Sequence, residues 1–181
     1  MGLRNITRDA RPGVRLVPCA AALLLAAATA GAEGFRTSDL TRVDTSAFPT
    51  AEHGRSQEPD RLTLAPCGGD FTGVDLQLGR RIDGAGDRVR SGATTIGELR
   101  AACEAATEAG GSACRDLEAA PLGGAVGWRT RTQAMGLELT THVLMRDDEL
   151  LTIRAMAEDR AEADAMAGLA LDVLAPQIVA P

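Results

Sequence analysis

From Leu137 to Met145 the chain alternates, with Leu137, Leu139, Thr141, Val143 and Met145 on one side and Glu138, Thr140 and His142 on the other. A period of two marks a strand with one buried face. Arg146-Asp147-Asp148 is a polar turn, after which Leu151, Ile153 and Ala155 return as the partner strand. Ala125 to Thr132 repeats the pattern, setting Val126, Trp128 and Thr130 against Arg129 and Arg131. Upstream, Thr72, Val74, Leu76 and Leu78 interleave with Gly73, Asp75 and Gln77. Asp83-Gly84-Ala85-Gly86 then signals a turn, and Arg88-Val89-Arg90 is expected as the short returning strand of a hairpin.

Elsewhere the period becomes helical. Thr95 and Glu98 form a capping box, each side chain meeting the other's exposed backbone N–H. Ile96, Leu99, Cys103 and Ala106 follow on one face, and Gly110-Gly111 ends the run. Ser112 to Ala120 is expected as a second short helix, closed by Pro121 and Gly123-Gly124. Asp159 with Glu162 opens the last helix, whose stripe of Met166, Leu169, Ala170, Val173 and Leu174 should lie on the sheet before Pro176 stops it.

Short turns join antiparallel strands. The expected fold is therefore α+β: an antiparallel sheet of about four to five strands with helices packed on one face. The closing hairpin and helix resemble in layout the small exported α+β domains of the PsbP-like and Mog1-like group. No motif accompanies that resemblance, and it assigns no family.

The N-terminus sets the compartment. Arg4, Arg8, Arg11 and Arg15 precede an uncharged run from Leu16 to Ala32 that ends in Ala28-Thr29-Ala30 and Ala30-Gly31-Ala32. A basic start, an apolar stretch and small residues at its end make a cleavable signal peptide. The alternatives are an uncleaved anchor, for which the run is short and rich in alanine, and lipidation at Cys19. A lipidated cysteine should follow the apolar run, whereas most of this run follows Cys19. The expected organisation is a signal peptide over 1–32, a flexible arm over 33–60 and one α+β domain over 61–181. The arm is polar apart from Phe35, Leu40, Val43 and Phe48, and should order only if it docks.

Removing 32 of 181 residues leaves 149, enough for one core. It also leaves 15 arginines against 24 acidic residues, a net charge near −9. That balance argues against nucleic acid and anionic membranes as partners. The chain has no lysine, no tyrosine and one asparagine, a usage that fits a GC-rich bacterial genome and hence a periplasmic or secreted protein. Aromatics are confined to Phe35, Phe48, Phe71 and Trp128, so the core must be aliphatic.

Cys67, Cys103 and Cys114 remain after cleavage. In an oxidising compartment the favoured disulfide joins Cys103 to Cys114 across the Gly110-Gly111 turn, leaving Cys67 a free thiol. Pairing of Cys67 with either of the others is the alternative. No cysteine spacing or nearby histidine suits a metal, and no cofactor motif is present.

Catalytic candidates are few. His53 lies in the polar arm, and His142 lies mid-strand, expected as an ordinary exposed residue. Gly110-Gly111-Ser112-Ala113-Cys114 lacks the second glycine of a nucleophile elbow, and Asp83 with Asp87 supplies too few oxygens for calcium. Arg80, Arg81, Arg88 and Arg90 on one hairpin, with Arg129 and Arg131 on another strand, would form a positive patch suited to a carboxylate or phosphate if the strands are neighbours. Trp128 is a stacking surface or, more ordinarily, a core anchor.

These features point to an exported, non-enzymatic binding or accessory module that meets an envelope protein or a small anionic ligand. The alternatives are a small periplasmic hydrolase or thiol enzyme using His142 or Cys67, and a purely structural envelope protein.

Overall fold

The computed structural model describes residues 34–48, 54–65, 72–80, 85–109 and 113–179, all within the compact unit Gly31–Pro181. Its centre is an antiparallel sheet of strands β1 (Arg55–Gln57), β2 (Arg61–Leu64), β3 (Gly73–Arg80), β4 (Ala113–Ala119), β5 (Val126–Ala134), β6 (Leu137–Arg146) and β7 (Glu149–Ala157). They stand side by side in the order β1-β2-β3-β7-β6-β5-β4. Helices α1 (Ala85–Arg90), α2 (Ile96–Glu108), α3 (Arg160–Val173) and α4 (Ala175–Val179) complete the α+β fold.

The alternating segments become β3 and β5 to β7. Met135-Gly136, with φ of 54° and 83°, turns β5 into β6, both central residues being left-handed as the twist of a two-residue hairpin requires. Asp147, at φ 53°, turns β6 into β7. Gly127 is obligatory in β5, since a Cβ there would lie 2.7 Å from the carbonyl oxygens of Ala120 and Val143.

Seven strands replace the expected four to five, because β1, β2 and β4 join the sheet. β1 and β2 are too short to show a period, and pair through Arg55↔Leu64 and Leu62↔Leu76. Ser112 to Ala120 was expected to be helical, but residues 113–119 form β4, in register from Cys114↔Thr132 to Ala119↔Trp128 with a shift between Cys114 and Asp116. The open edge of β5 offers backbone partners there, and that demand overrides the helix preference of Ala, Leu and Glu. Arg88-Val89-Arg90, expected as a strand, lies in α1 instead. β3 is already flanked by β2 and β7, so a returning strand would find no edge to join. Residues 81–84 of the expected turn lie outside the described residues.

The helices do not all cover one face. Leu62, Leu64, Val74, Leu76, Leu144, Leu151, Ile153 and Ala155 share the larger face, covered by α3, α4 and the N-terminal segment. On the opposite face Leu117, Trp128 and Met145 form a smaller cluster with Val89 of α1 and Ile96, Leu99 and Cys103 of α2. Both faces of β6 and β7 carry apolar side chains, so each needs a cover. On α3 the fully buried positions are Ala163, Ala167 and Ala170, followed by Leu174 just past its end. Met166, Leu169 and Val173 of the expected stripe are only partly buried beside them. Small side chains let the helix approach the sheet closely.

The segment expected as a flexible arm is docked over its described part. A 3-10 turn at Leu40–Arg42, capped by Asp39, drops Leu40 into the larger core, and Val43 and Phe48 follow. The main chain is tied by Arg36 N donating to Ile178 O at 2.7 Å and Leu40 N to Pro59 O at 2.7 Å. Three buried apolar residues at irregular spacing suffice once a ready surface receives them.

Candidate functional site

The densest cluster of chemically capable side chains lies where α3 crosses β4, β5 and β6. Alternation along the strands places Thr140 and His142 of β6, Arg129 and Arg131 of β5, and Asp116 and Glu118 of β4 on the larger face. From α3, whose N-cap is Asp159, the first turns bring Arg160 and Asp164 over them.

Asp164 is the hub. It receives both carboxylate bonds from Arg131 Nε, at 2.9 and 3.0 Å, and a third from Thr140 Oγ1 at 2.6 Å. Arg131 also reaches Asp116 Oδ2 at 3.3 Å, which Arg160 contacts from the other side. Arg129 pairs with Glu118. The Arg131 guanidinium, 14% exposed, holds the Asp164 carboxyl below the ordinary aspartate range, and that bond in turn raises Arg131. A carboxylate accepting several donors keeps its charge.

His142 sits at the inner edge of this network. It is 5% exposed, not the exposed strand residue its alternation with Leu139 and Val143 suggested, because α3 covers its face. Burial, reinforced by the Arg129 charge, pushes its imidazole down to about 4. Its Nδ1 has no hydrogen-bond partner among the described residues. Such a ring is neutral at pH 7 and a weak base. Among the described residues no hydrogen bond joins it to a serine or cysteine. What the cluster does is fasten α3 to the sheet through saturated ion pairs.

The described arginines of the expected patch are divided between the two faces of the sheet. Arg129 and Arg131 face α3 and are committed to Glu118, Asp116 and Asp164. Arg88 and Arg90 sit on α1, whose Val89 packs on the opposite face, and Arg90 pairs with Asp87 at 2.6 Å. Arg80 stands near Asp148 at 3.8 Å. Trp128, 9% exposed, is a core side chain of the smaller cluster, leaving little ring for a ligand. Arg81, His53 and Cys67 lie outside the described residues.

Cys103 of α2 and Cys114 of β4 stand at disulfide distance, their Cα atoms 5.7 Å apart. Beside them Cys114 N donates to Thr107 Oγ1 at 2.8 Å, and Arg100 grips Leu117 O through Nε at 3.1 Å and its terminal nitrogen at 2.7 Å. The network around Asp164 escaped sequence reasoning because it joins residues 24 and 33 positions apart on different elements. Among the described residues no group of three His, Cys, Asp or Glu side chains could hold a metal ion, and no helix is long and apolar enough to cross a membrane.

No protein-family model matches the chain, and no curated protein matches it. Among solved structures, the solution structure of cyanobacterial PsbP from Synechocystis sp. PCC 6803 aligns with a TM-score of 0.44 at 11% identity, covering 66% of this chain and 74% of that one.

Proposed function

We propose that this chain is an exported, non-enzymatic binding or accessory module of a bacterial envelope, freed of its first 32 residues by signal peptidase. The observation that carries the reading is the Cys103–Cys114 pair, which ties α2 to the edge of the sheet. A domain that staples a small satellite core in this way is suited to an oxidising compartment. The sealed state of His142 supports a binding role over hydrolysis, since among the described residues no hydroxyl or thiol is bonded to its buried imidazole. In this reading Cys67 is a free thiol, and the partner is an envelope protein or a small anionic molecule.

Non-reducing peptide mapping by mass spectrometry of protein purified from the periplasm tests it. The expected result is an N-terminus at Gly31 or Glu33, a linked Cys103–Cys114 peptide, and Cys67 open to alkylation. A retained N-terminus with three reduced thiols would overturn the reading.

A further inference from the structure

At the seam between the N-terminal segment and α4 lies an open pocket of about 300 Å³ lined by Arg36, Thr37, Arg42, Val43 and Gln177. We infer that it binds a small oxyanion, a carboxylate or phosphate group of a small molecule, through Arg36 and Arg42. This rests on the binding-module reading and supplies the chemistry of its ligand.

Charge is the first argument. Arg61, Arg90 and Arg131 each have a carboxylate oxygen within 2.9 Å. Among the described residues no carboxylate reaches Arg36, and the one nearest Arg42, Asp39, stands off at 3.7 Å. In a chain of net charge −6, two lightly engaged guanidinium groups on one concave surface are an uneven distribution. Each offers the paired donors that a carboxylate or phosphate accepts. A second open pocket, lined by Glu58, Asp60, Arg61, Gln77 and Leu78, carries acids and would repel the same ligand.

The second argument is that the frame is already built. Gln177 spends its side chain on the main chain, accepting from Asp44 N at 2.9 Å and donating to Asp44 O at 2.9 Å and Val173 O at 3.0 Å. Thr37 Oγ1 donates to Asp39 O at 3.2 Å, and the N–H groups of Arg36 and Thr37 both point to Ile178 O. Leu40 and Val43 anchor the segment from beneath. The arginines therefore rise from fixed backbone, which lowers the ordering cost of binding. The volume lies at the small end of ligand sites.

The test follows thermal unfolding of the mature periplasmic protein with inorganic phosphate or succinate, against sodium chloride of equal ionic strength. At about ten times Kd, phosphate, succinate or both should raise Tm by about 3 °C over the chloride control. The Arg36→Gln/Arg42→Gln double variant, altered only at exposed side chains, should keep the unliganded Tm and lose the increment. Amide shifts of Thr37 and Val43 on titration should localise the anion, and the more effective probe distinguishes phosphate from carboxylate. No rise beyond chloride, or an equal rise in the double variant, would overturn the pocket. That failure leaves the export and disulfide mapping untouched, whereas a retained N-terminus removes the module reading itself.

Discussion

The two faces of the sheet are held by different means. The larger face buries a continuous apolar layer from Leu62 to Val179 under α3, α4 and the docked N-terminal segment. Among the described residues the opposite face has three buried apolar side chains, Leu117, Trp128 and Met145, and its cover α2 buries no residue fully. Area removed from water secures the first, at roughly 25 cal/mol per Å². The second has too little of it and adds a covalent link between α2 and β4. The lesson is that a single sheet can carry one self-sufficient core and one that depends on oxidation.

The comparison can be broken by mutation. Leu151→Ala in the larger core should cost about 4 kcal/mol of stability by urea denaturation, since Leu151 is fully buried and the gap cannot easily collapse. Joint replacement of Cys103 and Cys114 by serine should cost about 3 kcal/mol in the chain-entropy account of a loop this size. Its sharper signature is local. Amides of 96–108 should lose exchange protection while those of β3 and β7 keep theirs. Simultaneous loss from both faces would show one cooperative unit and refute the contrast.

A third probe uses pH. The His142 imidazole is held at about 4 in the folded chain, against 6.5 for an exposed histidine. Between those values the unfolded chain binds a proton that the folded chain refuses, so stability falls as pH drops from 6.5 to 4 and is unaffected above that window. The loss should approach about 3 kcal/mol, and His142→Leu should flatten it. Asp164 acts in the same direction but lower, because its carboxyl titrates below 3.8 when folded. A slope unchanged in the His142 variant would locate the proton elsewhere. The smallest effect belongs to the caps, where Thr95→Ala should cost about 1 kcal/mol and show mainly as faster exchange in α2.

How much of this was legible in the sequence depended on whether a signal was local. The β5–β6–β7 meander, both capped helices and the Cys103–Cys114 pairing rest on neighbours in the chain, and each follows from period, cap or turn chemistry. β4 was not legible, since Ala-Cys-Arg-Asp-Leu-Glu-Ala has the composition of a helix and only the waiting edge of β5 makes it a strand. Nor was α1, because the reason Arg88 to Arg90 cannot extend the sheet is that β7, far along the chain, already occupies that side of β3. The burial of His142 and the Asp164 hub needed the packing of α3, which no alternation pattern contains. Docking of the N-terminal segment rests on Leu40, Val43 and Phe48, three residues with no period between them.

The grip of Arg100 on Leu117 O bears on self-association. β4 is the last strand of the sheet, and a bare edge is a template on which a second chain can add. Arg100 occupies one of its outward carbonyls, and Thr107 receives the N–H of Cys114 three residues before it. Both side chains belong to α2, the helix the disulfide fastens. Cover of these two edge groups is thus tied to the placement of α2, and so to the one covalent bond that fastens it.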